Sequence, residues 1–290
     1  MDKNRLLTGL NNIEKEELLE EFRIEASNYF KHHTLRGEKR AVICSKERPN
    51  SLFGNKIKLD FMLMYLKENP NQAYHAYVFR MSQSKVSEWV KVLLPILERS
   101  INKLGVMPEY GDEFSVQKNE DLLIDVTERQ VPRKTDNESQ KEEYSGKKKL
   151  HTIKNLAVTD KNRFIKFITP SYQGSTHDKS IWNDINFDFG KAKIYVDLGF
   201  KGVEKLYEYI VIPHKKFRKS ELNSSQKQEN NLMSKIRVKV EHAFAGVKSW
   251  KIIRNKIRIK SFEKRDLVFK IAVGLHNLRV RNNCLIQNQS

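Results

Sequence analysis

Residues 121–127 read DLLIDVT and residues 192–202 read AKIYVDLGFKG. In each, an apolar run delivers an aspartate: Leu122-Leu123-Ile124 precede Asp125, and Ile194-Tyr195-Val196 precede Asp197. A carboxylate near the end of a buried strand is costly unless something offsets it. Two such strands lying side by side would bring the carboxylates within a few ångströms, where they repel and one should hold its proton. A divalent cation removes that conflict. Mg²⁺ prefers carboxylate oxygens and keeps water positions open for substrate phosphates. Two such ions, roughly 3.5–4 Å apart, can activate a water and stabilise the leaving oxygen of an in-line phosphoryl displacement.

Two carboxylates rarely hold two ions alone. A third candidate stands in KIRVKVEHAFAGVKSWK, where Arg237, Glu241, Phe244 and Lys248 share one helical face. Glu241 could reach the sheet edge while Arg237 and Lys248 neutralise phosphates. Plainer readings compete at this stage. Asp197 alone is equally a turn former that bonds its own backbone, and an Arg–Glu pair one turn apart, as at Arg237 and Glu241, is usually a surface ion pair. Thr127, Glu128 and His177-Asp178 are further polar groups near strand ends, with Asp178 read as the first residue of a helix rather than a ligand.

The elements that must position these groups follow from periodicity. Residues 11–33 carry Ile13, Leu18, Leu19, Phe22, Ala26, Tyr29 and Phe30 at helical spacing. Residues 34–56 read as a basic loop. Residues 57–67 form a helix stopped by Asn69-Pro70, and 72–79 a short helix. Arg80-Met81 make a turn, and Ser82 caps a helix to about Arg99 with Val86, Trp89, Val90 and Leu93 on its apolar face. Short helix, tight turn, longer helix is the helix-turn-helix pattern, with an ordinary helical hairpin as the equal alternative. Strands are expected over 121–127, 151–158, 163–169, 193–197 and 208–212, with helices over 178–185, 221–249 and 262–281. Residues 128–150 and 213–230 are expected outside the core. The order suggests a helical domain over 1–110 and an α/β domain over 111–290.

The 290 residues carry 54 Lys+Arg against 36 Asp+Glu, a net charge of +18, which points to a polyanionic partner and above all to nucleic acid. No segment approaches the roughly 20 apolar residues of a membrane-spanning helix, and the polar, acidic N-terminus has no apolar signal core. The only cysteines, Cys44 and Cys284, suggest neither a disulfide framework nor a zinc site. An intracellular, cytoplasmic setting is expected.

The motifs IDVTERQVPR, YSGKKKLHTIKN, GSTHDKSIW, VDLGFKG, PHKK, RVKVEHAFAGVK and GLHNLR, in this order, resemble insertion-sequence transposases of the DDE superfamily endonuclease type, related to the Harbinger-like transposases. LTGLNNIEKEELLEEF, NPNQAYHAYVFRMSQSKVSEWVKVLLPIL and LGVMP resemble that family's N-terminal helix-turn-helix region. The resemblance implies an RNase H-like mixed sheet flanked by helices, preceded by a small all-α domain. It also implies three acids that hold catalytic Mg²⁺ or Mn²⁺, two ions in all. Carried over by position, the acids are Asp125, Asp197 and Glu241, with Arg237 and Lys248 on the family's R-x-x-x-E-x-x-x-x-x-x-K pattern. Ser234 stands where relatives often have tyrosine.

Three basic clusters surround these acids: Lys147, Lys148 and Lys149; His214, Lys215, Lys216, Arg218 and Lys219; and Lys248, Lys251, Arg254, Lys256, Arg258 and Lys260. They suit phosphate contacts, although any one alone reads as a solvated lysine face. Sequence readout, if any, falls to Gln83, Ser84, Lys85, Ser87 and Lys91. The expected function is transposition: hydrolysis at the element's end, then attack of the freed 3′-hydroxyl on target duplex DNA, by a homo-oligomer that synapses two ends. The alternative is a transposase-derived DNA-binding protein without catalysis. A more distant one is an RNase H-like nuclease of repair or processing.

Overall fold

Short polar residues set where the N-terminal helices begin. Asn11 accepts a hydrogen bond from the Glu14 amide, and the Glu14 carboxylate accepts one from the Asn11 amide. This reciprocal cap starts the first long helix. Asn71 and Ser82 cap the two helices of the hairpin through the Tyr74 and Lys85 amides. Asn69, with φ 49°, closes the helix ahead of Pro70.

The structure, a computed structural model, describes residues 3–44, 52–116, 120–216 and 221–287. In chain order its helices are α1 (Lys3–Thr8), α2 (Asn12–His32), α3 (Asn55–Glu68), α4 (Gln72–Val78), α5 (Gln83–Lys103), α6 (Asn137–Glu143), α7 (Asp178–Asn183), α8 (Ser224–Lys248), α9 (Lys251–Arg254) and α10 (Phe262–Gln287). Its strands are β1 (Glu109–Tyr110), β2 (Glu113–Ser115), β3 (Leu122–Gln130), β4 (Tyr144–Ser145), β5 (Leu150–Asp160), β6 (Ile165–Ile168), β7 (Tyr172–Gln173), β8 (Asn186–Asp188), β9 (Ile194–Tyr195) and β10 (Ile210–Val211). The chain divides into two compact units. One gathers Met1–Met107, Lys248–Asn255 and Leu267–Asn282; the other gathers Pro108–Val247, Lys256–Asp266 and Asn283–Ser290. Both units are assembled from separate stretches of the chain. Within the first unit α9 packs on α3, the Asn277 amide donates to the Val106 carbonyl at 3.0 Å, and Arg281 donates to the Leu104 carbonyl at 2.7 Å and pairs with Glu17.

In that unit α2, α3 and α5 pack together, and α4 packs on α5. Phe22, Phe61, Leu63, Leu93 and Leu97 are fully buried between them. Ile13, expected on the apolar face of α2, is exposed. The neighbouring Glu14 and Lys15 take the buried positions, because Glu14 completes the cap and Lys15 pairs with Asp60. Helix α5 runs to Lys103, beyond the expected Arg99.

In the second unit the sheet order is β1-β6-β5-β3-β9-β10, with β4 and β7 also paired to β5. Strand β5 runs antiparallel to β3 and β6, while β3, β9 and β10 run parallel to one another. This is the mixed sheet flanked by helices that the RNase H-like expectation required. Two strand boundaries differ. The β3–β5 ladder is unbroken from Leu122↔Asp160 to Gln130↔Thr152, so Asp125 sits inside its strand rather than at its end. Strand β9 holds only Ile194 and Tyr195, so Asp197 lies beyond it. Residues 128–150, expected outside the core, contain the end of β3, helix α6 and the buried Glu143 and Ser145. One face of the sheet packs Leu122, Ile124, Leu156, Val158 and Phe167 against Trp182, Phe187, Phe189 and Phe200. By strand alternation Asp125 and Arg129 face the other way. There Arg129 is buried and bonded to Asn155, Ser171 and the Arg265 carbonyl, with Asp266 at 3.5 Å. Among the described residues, no helix is long and apolar enough to cross a membrane.

His75 of α4 is buried among Phe61, Tyr65 and Phe79, with Nε2 3.2 Å from the Phe61 carbonyl oxygen. Burial lowers its pKa from 6.5 to about 4. The folded state thus favours the neutral ring, and that stability is intact above pH 6.5 and lost as pH falls towards 4. Chemical denaturation is expected to show a loss of about 3 kcal/mol across that window in wild type, and a smaller one in His75→Phe. Equal losses would show that another group sets the acid sensitivity.

Candidate active site

Strand β3 is held between β5 and β9, which fixes Asp125 in the sheet. The parallel register pairs Leu122 with Ile194 and Leu123 with Tyr195. The same offset, carried two residues further, sets Asp197 opposite Asp125. Each aspartate uses one oxygen locally: Asp125 Oδ1 accepts from the Val126 amide at 2.8 Å, and Asp197 Oδ1 accepts from the Gly199 amide at 2.7 Å. Asp197 thereby starts a single 3₁₀ turn, Leu198–Phe200. It is a turn former and also a carboxylate beside a second one. Phe200 is fully buried, and Gly202, at φ 104°, takes the left-handed backbone that follows. Gly199 has a different reason to lack a side chain. A Cβ there would lie 2.8 Å from Asp197 Oδ1 and 3.1 Å from Asp178 Oδ2.

Asp178 therefore belongs to the same neighbourhood. It begins α7 as expected, behind the capping His177, whose Nδ1 accepts from the Lys179 amide at 3.2 Å. Its carboxylate also pairs with Lys154 at 3.0 Å. Lys154 is buried; its Nζ donates to the Thr176 carbonyl at 2.7 Å and lies 4.0 Å from Glu128. Sequence reading passed over Lys154, although a lysine inside the apolar alternation of HTIKNLAV was a signal that something must face it.

Charge crowding shows in Asp125. Burial pushes its carboxyl from 3.8 up to about 6; the Val126 amide opposes this, Asp197 adds to it, Arg237 counters, and Asp178 adds the smallest share. Arg237 of α8 thus lies in electrostatic reach of the pair. Glu241, one turn further along α8, is exposed. Among the described residues, no three His, Cys, Asp or Glu side chains form a group that could hold a metal ion, so Glu241 does not join Asp125 and Asp197 here. Even so, the donor set suits a hard cation. It offers only carboxylate oxygens, one of them on a carboxyl that burial and two neighbouring acids hold against ionisation.

A hollow of about 560 Å³ opens on this edge, lined by Tyr144, Lys147, Lys154, His177, Asp178 and Asp197 among others. Lys147, Lys148 and Lys149 are exposed on the turn after β4, which the Ser145 carbonyl closes by accepting from the Lys149 amide at 2.7 Å. Lys215 and Lys216 are exposed, and Lys216 pairs with Glu221 at 3.1 Å. Arg218 and Lys219 lie outside the described residues. Lys248 is the last residue of α8. In the first unit Gln83 and Lys85 are exposed at the start of α5, with Lys85 paired to Glu88 at 2.6 Å.

Residues 124–277, just over half of the chain, match the family described as DDE superfamily endonuclease. Residues 58–103, from α3 to the end of α5, match the helix-turn-helix of DDE superfamily endonuclease. The probable transposase for insertion sequence element IS702 of Microchaete diplosiphon is 25% identical over 232 residues, covering 79% of this chain and 82% of that protein. The putative transposase for insertion sequence element IS112 of Streptomyces albus G is 27% identical over 184 residues, covering 62% of this chain and 67% of that protein. No solved structure matches.

The raised pKa of Asp125 has a consequence for stability. Its ionisation disfavours the folded state: the cost is absent below pH 3.8 and complete above pH 6, where it amounts to about 3 kcal/mol. Asp125→Asn removes it. Thermal melts in EDTA are expected to show the variant more stable than wild type above pH 6, with no gain below pH 3.8. A variant less stable than wild type at neutral pH would contradict the crowding of charge at this position.

Proposed function

The chain belongs to the DDE superfamily endonucleases, and on that premise we propose that it transposes an insertion sequence, cutting a phosphodiester at the element's end and joining the freed 3′-hydroxyl to target DNA. The observation that carries this reading is the register that sets Asp197 opposite Asp125, with Arg237 in electrostatic reach. Asp125 and Asp197, with Glu241 brought in from α8, are the residues that would hold Mg²⁺ or Mn²⁺, two ions in the full site. Bound there, the cations supply positive charge to the reacting phosphate and lower the pKa of a water.

The protein's own groups do the rest. Asp125 and Asp197 each spend one oxygen on a backbone amide, and of the two Asp197 lines the hollow. That arrangement fixes their rotamers before DNA arrives, as a preorganised site requires. Arg237 and, about three turns along the same helix, Lys248 neutralise phosphates flanking the cut. Lys147, Lys148 and Lys149, with Lys215 and Lys216, hold the duplex by its backbone without reading sequence. Gln83 and Lys85 of α5 are the groups for base edges, Lys85 exchanging its Glu88 partner for DNA. In this division of labour residues 1–110 bind the element's end and residues 111–290 cut it. A synapse of two ends makes the working form a homo-oligomer on DNA, in the cytoplasm at the nucleoid.

Cleavage of an end-labelled duplex bearing the element's terminus, with Mg²⁺, tests this. Wild type is expected to cut, and Asp197→Asn to cut about a thousandfold more slowly while binding the duplex as well, since a cation's charge stabilisation is worth several kcal/mol. A wild type that binds DNA but cuts with no divalent cation would favour a DNA-binding descendant of a transposase. An Asp197→Asn that cuts at the wild-type rate would remove Asp197 from the site.

A further inference from the structure

The turn between α4 and α5 holds an arginine where the backbone asks for something else. Arg80 has φ 50°, in the left-handed region. A side chain other than glycine, asparagine or aspartate is strained there, and the turns of such helix pairs often contain glycine. The Arg80 amide donates to the Tyr77 carbonyl at 3.2 Å, a bond glycine would make equally. The guanidinium is exposed and makes no ion pair among the described residues. What position 80 contributes is therefore its side chain, kept against the preference of its own backbone.

Beside Arg80 lies a hollow of about 750 Å³ lined by Ala76, Tyr77, Val78, Arg80, Met81 and Ser82. Tyr77 is 83% exposed and Tyr74, one turn earlier, 61%. Two tyrosines offered to solvent on one side of a short helix, next to an unpaired cation, make a surface with hydroxyl donors and positive charge and no carboxylate of its own in the lining. Polyanion chemistry fits it, in a chain of net charge +18.

We infer that this hollow receives the sugar-phosphate backbone of duplex DNA, with Arg80 neutralising one phosphate and the Tyr77 hydroxyl donating to a neighbouring phosphate oxygen. Contacts of this kind fix register and orientation without reading sequence. The turn would thus set the first residues of α5, Gln83 and Lys85, against the base edges. The inference rests on the DNA-binding half of the proposed function and is independent of the cleavage chemistry.

Fluorescence anisotropy with the full chain and a labelled random-sequence duplex, titrated at several salt concentrations, tests it. Arg80→Gly relieves the backbone and is expected to melt no lower than wild type. It should bind several-fold more weakly, with a salt slope shallower by about 0.9, the loss of one phosphate contact. Arg80→Lys keeps the slope. Tyr77→Phe weakens binding with the slope unchanged. Arg80→Gly binding with wild-type affinity and slope overturns the inference and leaves the proposed function standing. An Arg80→Gly that binds DNA normally but changes self-association overturns it in favour of a protein contact. A wild type that binds no duplex overturns both readings.

Discussion

Like charges in a partly buried sheet edge are the constraint on which the rest of the second unit depends. Asp197, two residues past the end of β9, comes opposite Asp125 of β3 by the same offset, and Asp178 stands beside Asp197. Water cannot fully screen charges so enclosed. The fold therefore surrounds them with partial remedies: a backbone amide on each of Asp125 and Asp197, Lys154 on Asp178, and Arg237 from α8. The unbroken β3–β5 ladder holds Asp125 in its largely buried position, and the buried Arg129 network braces the same strand four residues on. Gly199 leaves the space that two carboxylates occupy. These features are coherent with the proposed role of this edge, which needs excess negative charge for a cation to neutralise.

Positive charge is distributed with the same logic. Near the acids it is counted out singly and engaged: Lys154 is buried and fully partnered. Further out it is abundant and exposed, as at Lys147, Lys148 and Lys149. A polyanion brought to such a surface gains affinity from the outer lysines, while of the inner acids Asp178 is the one paired with a lysine. Lys85 and Lys216, exposed lysines that carry carboxylate partners, hold them on the surface, where exchange for phosphate costs little.

The sequence made the main helices and the sheet strands legible because their apolar periods are strong. It also singled out Asp125 and Asp197 from the apolar runs that deliver them, and the parallel register of β3 and β9 brings the two near one another. What it could not show was set by pairing across the chain. Asp125 looked terminal because the apolar run stops at Ile124, yet the strand continues to Gln130 since β5 supplies a partner for every residue. Ile13 looked buried by period, but capping and the Lys15–Asp60 pair turned the helix differently. Asp178 looked like a helix start only; that it also faces Asp197 depends on where Gly199 brings the two together. Lys154 stood out only as a lysine inside an apolar strand; which groups it faces was not legible, because its partners are 22 and 24 residues away. Glu241 was assigned by helical face and resemblance, and its exposed position on α8 leaves its part in the site to be established.

The most direct measurement is anomalous diffraction from crystals grown with Mn²⁺. A manganese peak bonded to both Asp125 and Asp197 is the predicted result, since that pair is where the fold concentrates unneutralised oxygen. Manganese absent from this edge, or held by Asp178 and Glu128 in place of Lys154, would contradict it.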